Sequence, residues 1–313
     1  MTPIDEHTER FVHLRPLLFT VAYEILGSAT EADDVLQDSY LRWRRVDLTA
    51  VRDTKSYLAQ LVTRQALNVL RASASRREEY VGPWLPEPLL LADGDASSDV
   101  VLTESASMGM LVVLESLTPI ERAVFVLREV FGFDYDEISS ATGKSVDAVH
   151  QTARRARNHV QARRKRYTPV DTARTAAVTE LFIIAATTGD MHGLLSLLAP
   201  DITWTTDSGG KVTALPELVM VGAERVGAIL MAVFRYAKRR PQVRIETVNC
   251  NNQPALACYV DDKLEALLVF DIADDKIVNG YGIRNPDKLA ALGVPRTISR
   301  TEPPLRNPRL TSN

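Results

Sequence analysis

Only two cysteines occur in 313 residues, Cys250 and Cys258, separated by NNQPALA with neither a CxxC pair nor a histidine cluster nearby. That scarcity argues against a disulfide framework and against a zinc site, and the surrounding text predicts thiols buried on strands. An excess of charge of one sign is also missing. The 37 Lys and Arg residues face 40 Asp and Glu residues, for a net charge of −3. The chain is therefore no polycation, and any contact with nucleic acid has to come from local basic faces. No run approaches the roughly 20 apolar residues that a bilayer span requires, and MTPIDEHTER opens the chain with acids rather than an apolar export segment. These absences predict a cytoplasmic chain with no membrane partner. What is present is a 45% hydrophobic composition, enough for ample core at a length that suits two or three domains.

The first segment, from about Arg10 to Arg77, carries helical periodicity. Phe11, Leu14, Leu18, Val21, Ala22 and Ile25 share a face, with Pro16 near the predicted start and Gly27 as the stop. A second helix is predicted from Thr30 with Asp33 as its capping-box partner. It sets Val35, Leu36 and Tyr40 against an acidic and amide face of Glu31, Asp34, Gln37 and Asp38. A third helix follows Asp53, with Tyr57, Leu58, Leu61, Val62 and Leu70 inward and Arg64, Gln65, Asn68 and Arg71 in a polar stripe. A solvated face of a three-helix bundle accounts for that stripe. So does single-stranded DNA: Lys55, Arg64, Arg71, Arg76 and Arg77 suit phosphates, Gln65 and Asn68 suit base edges, and Tyr57 or Trp43 offers a stacking ring.

Leu117 to Arg164 gives a sharper pattern. Thr118 caps a helix with Pro119 at its first position and Gly132 at its end. Tyr135–Thr142 is a short helix, Gly143 the turn, and Ser145 the cap of a last helix with Val146, Val149, Ala153, Ala156 and Val160 inward. That is a helix-turn-helix, whose second helix would offer His150, Gln151, Arg154 and Arg155 to base edges. Arg157, Arg163, Arg164, Lys165 and Arg166 stand where phosphates run.

Between these segments Trp84-Leu85-Pro86-Glu87-Pro88 is a stiff, extended linker with Trp84 as an apolar anchor, and ADGDASSD after it is acidic and mobile in character. Beyond Pro169 the text changes. Helices are predicted at 173–188, up to 198 and near 224–236, with strands at 202–206, 243–248, 255–260, 265–272 and 276–281. Such an α+β cone can hold a pocket. Asp201, Asp207, Asp261, Asp262, Asp271 and His192 are available there for proton transfer, although most of these acids sit in turn-like text. The loop Asp207-Ser208-Gly209-Gly210-Lys211 permits a tight turn or a close backbone approach and lacks P-loop spacing.

With those motifs in order, LFTVAYEILGSATEADDVLQDSYLRW and SYLAQLVTRQALNVLR resemble region 2 of the extracytoplasmic-function sigma factors, and Leu117 to Arg164 resembles their region 4. WLPEP, DSGGK and NPDKL (Asn285 to Leu289) are similar to motifs of the subgroup with a SnoaL-like C-terminal extension. The resemblance implies a multidomain chain: region 2 as a helical bundle over 8–77, a linker over 78–104, a region 4 helix-turn-helix over 105–167, an α+β SnoaL-like cone over 170–295, and a disordered tail over 296–313.

Its partners would be core RNA polymerase, met by Asp33, Asp34, Gln37 and Asp38, and promoter DNA. The −10 element would fall to loop 46–53 with Lys55, Tyr57, Arg64, Gln65, Asn68 and Arg71, and the −35 element to His150, Gln151, Arg154, Arg155 and Arg157. Regulatory contacts would lie at Trp84, Pro86, Glu87, Asp207, Gly209, Gly210, Lys211, Asn285, Pro286, Asp287 and Lys288. On this reading the chain is no enzyme and needs no catalytic residue, metal or cofactor, since polymerase supplies the chemistry. Two other readings stay open: a one-component regulator whose C-terminal pocket binds a small molecule, and an isomerase or cyclase carrying a DNA-binding anchor.

Overall fold

A computed structural model describes residues 5–91, 99–163, 172–212, 218–293 and 295–302, with the side chains of 74–78 and 172 left outside that description. The side chains of Arg76 and Arg77, together with Arg164, Lys165, Arg166, the acidic stretch 92–98, the connection 167–170 and the tail from 303, therefore lie outside the described residues. In chain order the helices are α1 (Glu6–Leu26), α2 (Ala29–Trp43), α3 (Thr54–Glu78), α4 (Val100–Ser105), α5 (Met108–Leu114), α6 (Pro119–Phe125), α7 (Tyr135–Thr142), α8 (Val146–Arg163), α9 (Thr172–Thr188), α10 (Met191–Leu197), α11 (Ala223–Lys238) and α12 (Pro286–Ala290). The strands are β1 (Leu198–Asp207), β2 (Val219–Val221), β3 (Val243–Cys250), β4 (Gln253–Val260), β5 (Lys263–Ala273) and β6 (Lys276–Ile283). The chain divides into two compact units. One takes the described residues of Met1–Ala72, Leu117–Val160 and Thr297–Asn313, the other those of Ser73–Ser116 and Gln161–Arg296.

The first unit is all helical. Helix α1 starts earlier than the periodicity suggests, because the Asp5 side chain accepts from the Thr8 N–H, and Pro16 consequently lies inside the helix. Gly27 ends it at φ 69°. Helix α2 is capped by Ser28, whose hydroxyl accepts from the Glu31 N–H at 3.1 Å, so the predicted start at Thr30 is corrected by two residues. Trp43 is corrected as well: it is buried, with its indole N–H donating to the His7 carbonyl at 2.8 Å, and offers no open stacking face. In the second half, Thr118 and Glu121 form a capping box at α6, and a π-helical turn at Val126–Val130 continues it. Gly143 then closes α7 at φ 68° and Ser145 caps α8, as the helix-turn-helix pattern requires.

The tail does not begin at 296 as a disordered segment. Ile298 is 3% exposed, the Ser299 N–H donates to Thr20 Oγ1 at 2.9 Å, Arg300 donates to the Val130 carbonyl at 3.3 Å, and Glu302 lies 3.3 Å from His13. A buried isoleucine and a bonded backbone overrode the polar composition.

The second unit is built on a six-stranded sheet of order β2-β1-β6-β5-β4-β3, parallel only between β1 and β6. Three two-residue hairpins join β3 through β6, and each turn pair has positive φ: Asn251 and Asn252, Asp261 and Asp262, Asp274 and Asp275. Asn and Asp tolerate that left-handed geometry, which matches the twist of the flanking strands. One sheet face carries Ile202, Trp204, Leu256, Leu268 and Phe270 against Phe182, Leu230 and Phe234 of the helices. The other carries Cys250, Ala257, Leu267, Val269, Tyr281 and Ile283, and Leu85 of the linker and Met108 of α5 pack on it. Strand β2, absent from the periodicity, is three residues long with Val219 and Val221 exposed.

Candidate nucleic-acid interface and linker-docking site

On α2, Asp34, Gln37 and Asp38 are exposed, whereas Asp33 is half-buried and paired with Arg15 at 3.0 Å. Alternation of the buried Ala32, Val35, Leu36 and Ser39 turns the acids outward. Three of the four predicted docking residues thus form one solvent-facing patch.

On α3, Asn68 and Arg71 are exposed and Gln65 is half-buried. Tyr57 is 37% exposed, with its ring 5.7 Å from that of Trp43. Lys55 lies over the Phe133 ring at 5.9 Å, and Arg64 donates to the Ser140 carbonyl at 2.6 Å. Between them Ser56 donates to Glu137 at 2.6 Å. Part of the predicted single-strand reader is therefore engaged by the helix-turn-helix inside the same unit. Arg122, 1% exposed, adds a further joint by donating to the Glu24 carbonyl at 2.9 Å. Nothing in the periodicity of either segment announces these contacts.

On α8, His150, Gln151, Arg154 and Arg155 are exposed and Arg157 is half-buried. They differ in what holds them. Arg155 approaches Glu121 at 3.5 Å and donates to Thr152 at 3.2 Å; Arg157 donates to Glu129 at 2.6 Å, and that bond holds its guanidinium above the ordinary value. Gln151 and Arg154 are exposed and have no such ties among the described residues.

The second unit gathers the three loop motifs at one place. Asp207, 0% exposed, accepts from the Tyr80 hydroxyl (2.5 Å), the Leu85 N–H (3.0 Å), the Gly209 N–H (3.1 Å) and Lys288 Nζ (2.7 Å). Asn285 donates to the Tyr80 oxygen at 2.7 Å and caps α12, where Pro286 holds the first turn. Lys288, 2% exposed, also donates to the Leu85 carbonyl and lies 3.5 Å over the Trp84 ring. Burial lowers its pKa and Asp207 opposes that; burial, then Asp207, raises that of Tyr80. Pro86 is buried, Glu87 half-buried, and Lys211 pairs with Asp287 at the exposed rim.

The two loop glycines are dictated by the same packing. Both have positive φ, and a Cβ on Gly209 would fall 2.5 Å from Asn285 Nδ2, one on Gly210 2.9 Å from Val81. The loop is a close backbone approach to the linker. Sequence reasoning missed Tyr80 and Val81, which precede WLPEP and carry no motif of their own. It also missed Asn251, which bonds the Leu89 N–H and the Ala106 carbonyl, both at 2.8 Å.

The acids considered for proton transfer are accounted for. Asp261 and Asp262 form a hairpin turn, and Asp271 accepts from Tyr281 (2.6 Å) and Asn279 (3.2 Å). Asp201 and His192 are exposed. The space between helices and sheet is occupied by Phe182, Trp204, Phe234 and Phe270, in ring contact at 4.8–6.2 Å. Burial raises the Cys250 thiol to about 12 and that of Cys258 to about 11. Among the described residues no helix is long and apolar enough to cross a membrane.

Comparison with known proteins identifies the segments on which these surfaces lie. Residues 11–76 match Sigma-70 region 2 and residues 108–160 match Sigma-70, region 4. The chain is 34% identical over 302 residues to the ECF RNA polymerase sigma factor SigJ of Mycobacterium tuberculosis, covering 94% of this chain and 96% of that protein. It is 29% identical over 280 residues to the probable ECF RNA polymerase sigma factor SigI of the same species, covering 89% and 93%. The crystal structure of M. tuberculosis SigJ superimposes with a TM-score of 0.73 at 28% identity, over 91% of this chain and 99% of that one.

Proposed function

The chain belongs to the extracytoplasmic-function RNA polymerase sigma factors, and on that premise we propose which of its residues perform the promoter recognition and transcription initiation of that family. Core polymerase meets the exposed patch of Asp34, Gln37 and Asp38. Gln151 and Arg154, flanked by His150, Arg155 and Arg157, read the −35 element in the major groove. Tyr57, Arg64, Gln65, Asn68, Arg71 and Lys55 take the single-stranded −10 element. Binding energy from the duplex grip and the captured strand offsets the local unpairing, on the order of a few kcal/mol. The protein works in the cytoplasm, where its polymerase and DNA are.

The bond between Arg64 and Ser140 carries one consequence. Elements named −35 and −10 lie about 25 base pairs apart, about 85 Å of duplex, while Arg64 and Ser140 are 2.6 Å apart. Both elements are engaged only after this contact opens. Its partners are polar, so water replaces them at small cost. We assign the fused α+β unit a tuning role through the docked linker, because the three motifs that set this subgroup apart meet there and nowhere near a free proton-transfer residue. A small-molecule regulator reading lacks support in an interior filled by aromatic side chains.

The observation that carries the docking assignment is that Asp34 and Asp38 are exposed and, among the described residues, have no ion-pair partner. Asp34→Lys with Asp38→Lys places like charges at a basic partner, so the variant should no longer co-elute with core polymerase while its circular dichroism is unchanged. Co-elution equal to wild type would remove α2 from the interface.

A further inference from the structure

His150 stands in the first turns of the recognition helix, yet its ring does not hang free. It stacks on Tyr135, the first residue of α7, with ring centroids 3.6 Å apart and planes inclined by 27°. Tyr135 is itself bracketed. The Arg128 guanidinium lies 4.5 Å from its ring centroid while donating to the Phe133 carbonyl at 2.9 Å.

Arg128 reaches these partners from the π-helical turn Val126–Val130, where the Phe131 N–H bonds the Val126 carbonyl at 3.2 Å. Such a turn inserts a residue and rotates the downstream chain relative to a regular helix, and π segments recur at functional sites. The turn, the start of α7 and the first turns of α8 thus converge on one tyrosine.

We propose that Tyr135 is a positioning residue for promoter recognition, fixing the His150 imidazole in the orientation that meets its −35 base pair, with Arg128 holding Tyr135 in turn. An imidazole ordered before binding loses no rotamer freedom on contact, and an edge restricted to one plane accepts fewer base pairs. The inference rests on the reading of His150 as a base-contacting residue and extends it to a residue outside the recognition helix.

The test uses holoenzyme assembled from the full chain and core polymerase, and a promoter panel in which each −35 base pair is varied in turn. His150→Ala should flatten the preference at one position. Tyr135→Leu should flatten it at that same position by about 2- to 10-fold, the worth of an aromatic pair, and add nothing in the His150→Ala background. Tyr135→Phe should keep the preference. In the wild-type chain, the ring current of Tyr135 should displace the His150 imidazole proton resonances, and Tyr135→Leu should abolish that displacement.

If His150→Ala changes no preference, the base-reading role fails and the inference with it. If His150→Ala flattens the preference but Tyr135→Leu lowers binding to all promoters alike, or adds to His150→Ala, only the inference fails. Should Tyr135→Leu not fold, the other two readouts decide: a Phe variant without the preference, or a wild-type imidazole without a ring-current shift, overturns it.

Discussion

Arg154 and Arg163 lie on the same helix and carry the same charge, and both are exposed. They should nonetheless fail differently. Arg154 lies among the positions proposed to read bases, so Arg154→Ala should cost about 1–3 kcal/mol and relax preference at particular −35 positions. Arg163, at the end of α8, should grip phosphate: its replacement by Ala should weaken all sequences alike and lower the salt slope by about 1. Equal losses for Arg154→Ala across a panel of −35 variants would take it off the list of readers. Their exposure was legible because Val149, Ala153, Ala156 and Val160 recur at helical spacing and fix the inward face. The ties of Arg155 to Glu121 and of Arg157 to Glu129 were not, since both acids come from segments 28 or more residues away.

At the scale of elements, periodicity and caps located the helices of the helix-turn-helix, because Thr118, Gly143 and Ser145 act on their own neighbours, while the Asp134 capping box of α7 went unread. The strands of the sheet were legible as short runs, but the paired Asn and Asp turns that join them were not read as hairpins. Helix α2 was misplaced by two residues because Ser28 and Thr30 are both good caps, and Gly27 at φ 69° lets the chain turn early enough for Ser28 to serve. The linker is the clearest limit. Trp84 to Pro88 marked a stiff, anchored segment, but its seat is a sheet face and a buried Lys288–Asp207 pair drawn from 122 or more residues away.

That seat gives a prediction. Lys288→Met leaves Asp207 buried without its cation and should cost about 3 kcal/mol, the low end for a broken buried pair because three other donors remain. Gly210→Ala should add a left-handed backbone penalty of about 1 kcal/mol and push Val81 away. In both variants limited proteolysis should cut within 80–91 faster than in wild type. An unchanged cleavage rate with unchanged urea denaturation would mean the linker is held by its apolar residues alone.

For the whole molecule, the order of two helical segments and an α+β unit was legible from motif sequence, and the comparisons bear out the sigma-factor reading over a one-component regulator. What the sequence could not convey is that the helix-turn-helix and the region 2 helices form a single unit joined by Arg64, Ser56 and Arg122, or that Thr297–Glu302 returns to it. Those contacts pair residues whose types suit water equally well, so composition and period are silent about them.

The central claim is that this chain turns core polymerase into a promoter-specific enzyme through a polymerase-docking face on α2 and separate −10 and −35 readers. Reconstituted transcription from core polymerase, the full chain and genomic promoter fragments tests it most directly. Specific transcripts should start only when the chain is present, should disappear with Asp34→Lys/Asp38→Lys, and should shift in promoter choice with Arg154→Ala. Transcripts that ignore the chain, or a chain that binds the fragments yet supports no initiation on any of them, would contradict it.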